Sequence, residues 1–444
     1  MPRGSRNVET GGERVSIKRE ALTNGLTLIV HENPTDPLVT LRCIALGGPV
    51  EEPPAQAGLA SFTADMLMRG TERMTFEQIN LTLEERGIFL STGASRHSCD
   101  AAVHCLTEDL TLATELLADV VRRPTFPEKN VETRRGQIIT GLRQEDNDTG
   151  AVADRAFREA AYPEGHPYRR RIDGYEPIIC ALTRDQLAGF HRRHLHPVRM
   201  FIAVSGDVLF EQLRDRLAQV FGDWQAPGNS AMSATPGSTA RASWLDIPGA
   251  PKPAAARLEK VVPGKTQSDL VIGFPALRRT DPEYYALQLG TAILGQLGLQ
   301  GRLGASLRER QGLAYHVGSY MESAPAPAPW AVRAGVNPAN VDRAIAGILE
   351  EVRRLSAESV TEEELSGIKQ HLVGTLTLQL ETNDGIASLL QAIEFYGLGL
   401  DYADRYPHII RSVSQDEILL AAQAHVDPEG PVIVVAGPAR EPNG

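Results

Sequence analysis

An internal repeat constrains the fold of this 444-residue chain more than any other feature of its sequence. The segment LTRDQL at 182–187 returns as VSQDEI at 413–418, an offset of 231 residues (413 minus 182). The same offset relates four further pairs: His194 and His425, Pro197 and Pro428, Val204 and Val435, and Gly206 and Gly437. Solenoid units repeat every ~20–50 residues. The much longer period here predicts two copies of a whole domain.

A second repeat lies upstream, where EDND at 145–148 parallels ETND at 381–384 and each leads into a helical pattern. Between the two halves, residues 225–257 are rich in Pro, Gly, Ser and Ala and have no sustained periodicity, which is typical of a linker. A chain of this length is also too long for a single core. We therefore predict an N-terminal domain over 15–224, a linker over 225–257 and a C-terminal domain over 258–440.

Both halves combine strand-like and helix-like hydrophobic periods, which predicts an α+β fold with hairpins and packed helices. Asn24-Gly25 indicates a β-hairpin, and Thr75 with Gln78 and Thr183 with Gln186 indicate capping boxes that open helices. Strands are predicted at 26–30, 39–46, 88–92, 99–106, 200–205 and 269–274, and near Tyr315 and Trp330. Helices are predicted at 107–121, 127–145, 148–161 and 283–294, and from Asn340 and Thr361.

Composition excludes several classes of protein. The formal net charge of −11 argues against a nucleic-acid partner, because phosphate binding depends mainly on Lys and Arg. No apolar run reaches the ~18 residues of a membrane span, and no membrane partner is expected. The four cysteines form no C-x-x-C pair, which fits a reducing compartment, and the N-terminus lacks an apolar secretory stretch. We therefore predict a cytoplasmic protein, and we place no weight on residues before about Val15.

The segment GLASFTADMLM at 58–68 has the pattern of a zinc-peptidase helix without the residues that perform the chemistry. An inverted-zincin helix carries His-x-x-Glu-His, in which two imidazoles bind the metal and the Glu polarises water. Here those three positions hold Ser61, Ala64 and Asp65. A hydroxyl is a poor zinc ligand, alanine cannot act as a base, and a single carboxylate does not hold a metal.

The flanks of this segment, GLA at 58–60 and ML-x-x-GT at 66–71, resemble the pitrilysin and mitochondrial processing peptidase family. The resemblance implies two similar domains of the LuxS- and mitochondrial-processing-peptidase-like metallohydrolase fold, which together make one half of a clam-shaped peptidase. It also implies a third zinc ligand, a Glu from a later helix. In QIITGL at 137–142 the matching positions hold Thr140 and Gly141. We therefore expect no metal or other cofactor on this chain.

In the second half, LRERQGLAY at 307–315 matches the family's Arg and Tyr signature, here Arg308 and Tyr315. The resemblance implies that both side chains reach the substrate from the domain without zinc, where a guanidinium and a phenol can stabilise a scissile carbonyl as charge develops. From spacing alone, an Arg on a solvated helix and a Tyr that opens a buried strand explain the same residues.

Glycines precede this pair at Gly295, Gly298, Gly301 and Gly304. The non-catalytic subunit of mitochondrial processing peptidase has a glycine-rich loop at the same relative place, and the resemblance implies that Gly295, Gly298 and Gly301 contact substrate. A plain helix-to-helix turn remains the alternative. The lack of a following Gly-Lys-Ser/Thr argues against a phosphate loop.

The segment HRRHLH at 191–196 looks like a metal cluster, but we interpret it as the C-terminus of a helix with cationic and polar residues, because its repeat partner AQAHVD at 422–427 keeps one His. His97 and His104 lie near Cys99 and Cys105, and no spacing rule marks them as ligands.

The resemblance implies the non-catalytic subunit of a heterodimeric zinc peptidase. A catalytic subunit of the same family would bring His-x-x-Glu-His and zinc, while this chain closes the chamber and presents Arg308 and Tyr315. The substrates would be short or unfolded peptides that bind as an added edge strand. Two alternatives remain open: a scaffolding core subunit of a larger complex with no role in hydrolysis, and a hydrolase that uses another site.

Overall fold

The computed structural model describes residues 4–10, 13–226, 247, 249–296 and 301–439. The chain folds into two compact units, each assembled from separate segments of the sequence. Unit 1 contains Met1–Ile139, Arg171–Trp244 and Thr375–Tyr406. Unit 2 contains Thr140–Arg170, Leu245–Gly374 and Pro407–Gly444.

The strands are, in chain order, β1 Gly4–Thr10, β2 Glu13–Ala21, β3 Thr27–Glu32, β4 Leu38–Leu46, β5 Phe89–Ser95, β6 Ser98–Leu106, β7 Met200–Gly206, β8 Ala256–Val261, β9 Ser268–Pro275, β10 Ala314–Met321, β11 Pro329–Val336 and β12 Val432–Gly437.

The α-helices are α1 Leu59–Met66, α2 Phe76–Arg86, α3 Leu110–Arg122, α4 Glu128–Asp146, α5 Thr149–Ala161, α6 Glu176–Ala181, α7 Arg184–His194, α8 Phe210–Phe221, α9 Tyr284–Thr291, α10 Val341–Ala357, α11 Glu362–Gln379, α12 Asn383–Tyr396, α13 Tyr402–Ser412 and α14 Gln415–His425. Two π-helical segments, Ala292–Gln296 and Gly304–Arg310, follow α9.

The two sheets have the same topology. The sheet of unit 1 has the order β1-β2-β3-β7-β4-β6-β5, and the sheet of unit 2 has the order β10-β11-β9-β12-β8. Without β1 and β2, the first sheet runs β3-β7-β4-β6-β5 and the second, reversed, runs β8-β12-β9-β11-β10. In both of these orders, the first two strands (β3 with β7, and β8 with β12) are parallel, and the remaining neighbours are antiparallel. The α+β fold and the duplication are thus confirmed.

Each sheet is covered by a helix from the other half of the sequence. Helix α5 follows the first-half helix α4, yet it packs on β9 and β12 in unit 2. Its repeat counterpart α12 follows α11, yet it packs on β4 and β7 in unit 1. Strand β7 is buried along its whole length, and seven of the eight residues of β9 are buried.

Specific polar contacts fix both exchanged helices. In unit 1, Arg42 Nη2 lies 2.7 Å from Asp384 Oδ1 at the start of α12, and Arg19 makes two hydrogen bonds of 2.9 and 3.0 Å to Glu394. In unit 2, Thr149 at the start of α5 donates to Asp269, and Arg158 pairs with Glu322. Directional contacts of this kind hold each helix in one register on its sheet.

The local sequence signals form as predicted. Thr75 with Gln78 and Thr183 with Gln186 make complete capping boxes, and α2 ends at Gly87 in a left-handed conformation with φ 63°. The hairpin predicted at Asn24-Gly25 joins β2 to β3.

Three boundaries differ from expectation. Strand β1 pairs with β2 in a region for which no element was predicted. The helix predicted from Thr107 begins with a 3₁₀ turn, and the helix predicted to run to Leu294 ends in a π-helical segment. Most of the predicted linker, 227–246 and 248, lies outside the described residues, and the domain boundaries at 15–224 and 258–440 stay predictions.

A carboxyl group on β6 makes stability depend on pH. Burial raises the pKa of Asp100 to about 6, although Ser98 and Arg42 favour its charged form. An unfolded aspartate titrates near about 3.9. The folded protein therefore binds this proton more tightly, and ionisation of Asp100 destabilises the fold as pH rises through about 6.

We predict that Asp100→Asn raises the free energy of unfolding at pH 8 by about 2–3 kcal/mol, because one pKa unit corresponds to about 1.4 kcal/mol. At pH 4.5 the gain should fall to about 1 kcal/mol or less. Urea unfolding at the two pH values measures both quantities. Equal stabilisation at pH 8 and pH 4.5 would contradict the assignment.

Candidate functional site

Helix α1, the segment that resembles a zinc helix, is buried and firmly capped in unit 1. Seven of its eight residues are buried, and it packs against α7 and β5. Gly58 precedes it with φ 96°, and a β-carbon there would lie 2.9 Å from Asp173 O, so only glycine fits. The carboxylate of Glu52 accepts hydrogen bonds from the backbone N–H groups of Gly58, at 3.0 Å, and of Ala60. A carboxylate at a helix N-terminus also complements the helix dipole.

The residues at the three motif positions on α1 make hydrogen bonds to other residues of this chain. Ser61 Oγ donates a 2.6 Å hydrogen bond to Asp173 Oδ1. Asp65 Oδ2 accepts from Nε and Nη2 of Arg134 on α4, at 2.9 and 2.6 Å. Ala64 is fully buried, and its carbonyl accepts from Thr92 Oγ1 on β5 at 2.8 Å.

Burial dominates the electrostatics of this cluster. It raises the pKa of Asp65, as does the nearby charge of Asp173, whereas the hydrogen bonds and charge of Arg134 act in the opposite direction. Burial and the charge of Arg134 lower the pKa of Arg69, which stacks over the Phe76 ring at 4.7 Å. Two guanidinium groups and two carboxylates therefore meet beside α1, in place of the neutral imidazoles that would hold a metal.

This donor set does not fit a zinc ion. Catalytic zinc needs about three protein ligands, and here one motif position has no donor atom and another carries a carboxylate paired with Arg134. Within the described part of the chain, no group of three His, Cys, Asp or Glu side chains could hold a metal. Thr140, the position implied for the third ligand, is exposed on α4.

The Arg and Tyr of the second half lie on either side of a tight turn in unit 2. Arg308 belongs to the π-helical segment Gly304–Arg310, and the N–H of Gly312 donates to its carbonyl at 3.2 Å. Tyr315 is the extra residue of a β-bulge, because Ala314 pairs with Val336 and His316 with Gly335. Bulges often redirect a side chain beside a functional site.

Both side chains are available to a ligand. Tyr315 is 58 % exposed, and Arg308 is exposed. Among the described residues, neither side chain has a hydrogen bond or an ion pair. The roles assigned to them stay predictions.

The glycines before this turn allow close backbone packing. A β-carbon on Gly295 would lie 2.6 Å from Ser319 N on β10, and one on Gly301 would lie 3.0 Å from the α-carbon of Gly295. Gly298 lies outside the described residues. The contacts of Gly295 and Gly301 explain why glycine is needed there, and a substrate role for Gly295, Gly298 and Gly301 stays a prediction.

The histidines of 191–196 make separate contacts. His191 Nε2 lies 2.8 Å from the Val121 carbonyl, and His194 Nδ1 lies 2.9 Å from Glu51 Oε2. Burial lowers the pKa of His196 to about 4. His104 contacts Thr40 Oγ1 at 3.2 Å and Asp384 at 3.8 Å. These contacts support the interpretation of the segment as a helix terminus.

Two partners of the motif positions escaped sequence analysis. Asp173 lies in a turn before α6 and belongs to no motif, so no signal marks it. Arg134 lies six residues before Thr140 on α4, and an alternating-charge helix such as EKNVETRR gives no reason to select it. In the described part of the chain, no helix combines the length and apolar character needed to cross a bilayer.

Both halves of the chain are similar to known proteins of one family. Residues 27–171 match the family model "Insulinase (Peptidase family M16)", and residues 181–372 match "Peptidase M16 inactive domain". An uncharacterized zinc protease of Streptomyces coelicolor is 24% identical over 427 residues, which cover 96% of this chain and 90% of the relative. One of Mycobacterium tuberculosis is 29% identical over 422 residues, covering 94% and 91%.

Solved structures share the fold. A peptidase M16 inactive domain from Pseudomonas fluorescens superposes with a TM-score of 0.87 at 24% identity, covering 96% of this chain and 100% of that chain. A protease from Helicobacter pylori superposes with a TM-score of 0.85 at 18% identity, with the same coverage.

We predict that the triple variant Ser61→His/Ala64→Glu/Asp65→His remains without peptidase activity and without stoichiometric zinc. The third ligand is still missing at Thr140, and Arg134 loses its carboxylate partner and places a positive charge beside the new imidazoles. Elemental analysis and a peptide-cleavage assay with and without chelator measure both outcomes, with the wild-type chain as control. Chelator-sensitive cleavage by the triple variant would show that the third ligand had been assigned wrongly.

Proposed function

This chain belongs to peptidase family M16, and we propose that it is the non-catalytic subunit of a heterodimeric zinc peptidase. A separate catalytic subunit of the same family would supply the metal centre. This chain would help to enclose the substrate and would contribute Arg308 and Tyr315. Two relatives that are named zinc proteases are similar to this chain over nearly their whole length, which supports a function in peptide hydrolysis.

One contrast carries the proposal. The motif positions of α1 are occupied by contacts within the protein, namely Ser61 with Asp173 and Asp65 with Arg134. The side chains of Arg308 and Tyr315, by contrast, are exposed and have no hydrogen-bond or ion-pair partner among the described residues. A side chain that stabilises neither its own helix nor its own strand is free to act on a ligand.

The chemistry available to this pair is electrostatic. When a peptide carbonyl is attacked, its oxygen gains negative charge, and a fixed phenol O–H or guanidinium N–H stabilises that charge. The bulge at Tyr315 fixes the backbone from which the phenol projects, and Gly312 fixes the turn next to Arg308. Both groups would then act in trans on a peptide that lies at the metal centre of the catalytic subunit.

Edge strands offer a way to hold the peptide. Strand β10, which carries Tyr315, lies at one edge of the unit 2 sheet, and its repeat counterpart β5 lies at one edge of the unit 1 sheet. An extended peptide that adds to such an edge gains main-chain hydrogen bonds and needs little sequence specificity. We therefore propose short or unfolded peptides as substrates.

The test is Tyr315→Phe in the assembled heterodimer, formed with a family member that has an intact His-x-x-Glu-His. The substitution removes one hydroxyl and almost no volume. We predict that kcat falls by about 10²–10³, the usual effect of losing one preorganised oxyanion donor. Heterodimer assembly by gel filtration and zinc content should not change.

Tyr320→Phe is the matched control, because it makes the same change on the same strand where the ring instead faces the guanidinium of Arg333 at 4.2 Å. We expect it to keep the wild-type turnover. If Tyr315→Phe also keeps wild-type turnover, the pair has no catalytic role, and a scaffolding subunit becomes the better description.

A further inference from the structure

Two arginine side chains direct N–H groups to one place beside α1, and the proposed function does not use them. Arg69, which follows α1, donates from Nη2 to Oε1 of Gln137 at 3.3 Å. Arg134 on α4 donates from Nη1 to the same oxygen, also at 3.3 Å. Both distances exceed the usual N–H···O distance of about 2.9 Å. The two guanidinium groups therefore share one neutral and weakly bound acceptor.

The positive charge of this pair is only partly compensated. Arg134 uses Nε and Nη2 to bind the carboxylate of Asp65, which leaves Nη1 for Gln137. Arg69 has no ion pair among the described residues. Burial and the charge of Arg134 lower the pKa of Arg69, and together they outweigh the opposite effect of Asp65. A negative group that reached both arginines would relieve this repulsion.

The shared acceptor can be replaced by a ligand from solvent. Gln137 is exposed, and the side chain of Arg134 is 28 % exposed. The amide of Gln137 is uncharged, so its movement breaks one long contact to each arginine and leaves no charge unpaired. An anion binds two guanidinium groups more strongly than a neutral amide does, because both partners then carry charge.

A glycine leaves this part of α4 uncovered. Gly141 lies one turn after Gln137, on the same face of the helix. Helical side chains lean towards the N-terminus, so a side chain at position 141 would lie over Gln137. Outside the adjoining helix backbone, no atom of the described residues lies within 4 Å of a β-carbon placed on Gly141. Glycine weakens a helix interior, and packing within the chain does not require it here.

The group that fits this place is a single carboxylate. Its two oxygens can each accept an N–H from one of the two arginines. Asp65 and Asp173 lie in the same cluster and repel any anion that binds there. Because that repulsion grows with the charge of the ligand, a monoanionic carboxylate is favoured over a dianionic phosphate.

We infer that Arg69 and Arg134 form a binding site for a carboxylate group of a peptide, which takes the place of the Gln137 amide. The inference rests on the proposed function for the peptide that carries this group. The C-terminus of a peptide and an acidic side chain both present a carboxylate, and the site recognises the group that they share. Gly141 acts through the space that it leaves for the ligand.

The first test measures binding to this chain alone, by fluorescence anisotropy of a ten-residue Ala/Ser peptide labelled at its N-terminus. Three forms are compared: a free C-terminal acid, an amide, and an amide with one glutamate near its end. At least one carboxylate form should bind about 10-fold or more tightly than the plain amide, because it gains charged hydrogen bonds. The form that gains identifies the chain end or the side chain as the source.

Equal Kd values for the three forms would overturn the inference. Stronger competition by sodium phosphate than by sodium acetate, at equal ionic strength, would overturn the choice of a carboxylate.

The second test removes one of the two donors. Arg69→Gln is the informative variant, because it leaves no carboxylate of the chain without its partner. The preference for the carboxylate form should disappear. Arg192→Gln removes an exposed arginine of the same unit, and this matched control should keep the preference. An Arg69→Gln chain that kept the full preference would contradict the assignment.

The third test fills the space above Gln137 and keeps both arginines. Gly141→Leu should abolish the preference, while the chain unfolds at the same or a higher urea concentration, because leucine favours a helix more than glycine does. Gly367→Leu on α11 is the control, because a β-carbon there likewise has no neighbour within 4 Å among the described residues. Wild-type binding by Gly141→Leu would show that the ligand does not lie over this turn and would refute the site.

These measurements need no catalytic subunit, so the two proposals can fail separately. If Tyr315→Phe lowers kcat in the heterodimer while the three peptides bind alike, only the carboxylate site is wrong. If the preference depends on Arg69 while Tyr315→Phe keeps full turnover, the catalytic role of Arg308 and Tyr315 fails and the carboxylate site stands.

Discussion

Both units depend on one constraint. Each sheet has a buried face, and part of that face is covered by a helix from the other half of the sequence. Strands β7 and β9 are almost entirely buried, and helices α12 and α5 pack on them from the other half. The helices are held by few, directional contacts, such as Arg42 with Asp384 and Thr149 with Asp269. Because the covering helices come from the second and first halves respectively, neither half of the chain contains a complete unit.

The two copies of the domain differ in the residues of one cross-strand row, and this difference shapes the candidate site. In unit 1, the cross-strand row on β6, β4 and β7 is filled by the side chains of His104, Thr40 and Ser205. In unit 2, the corresponding row contains Gly335, which leaves room for the ring of His316 above the sheet. One topology therefore gives a closed polar row in one unit and an open one in the other.

Much of the fold could be predicted because its signals are local. The capping boxes at Thr75 and Thr183 and the hairpin at Asn24-Gly25 depend on residues within about four positions of each other. The repeat offset predicted the shared topology. The helix exchange could not be predicted, because an amphipathic pattern such as that of α5 shows which face is buried and not which sheet buries it.

For the candidate site, the motif positions could be predicted from the sequence, but the residues that contact them could not. The motif positions Ser61, Ala64 and Asp65 were located because a helix with fixed spacing carries them. Their partners Asp173 and Arg134 come from distant segments, and the bulge at Tyr315 depends on how β10 pairs with β11. Such features arise only when strands and helices have already packed.

The ion pair between Asp65 and Arg134 affects how such a chain can evolve. Substitution of Asp65 by histidine, taken alone, would leave a half-buried guanidinium without its carboxylate, and the loss of one partner of such a pair destabilises a protein. Substitution of Ser61 by histidine alone would likewise remove the partner of Asp173. Each single substitution towards a metal centre therefore breaks an existing contact before any ligand set is complete. A metal centre at α1 would require several substitutions at once, because every single variant on the way loses a contact that now holds the helix.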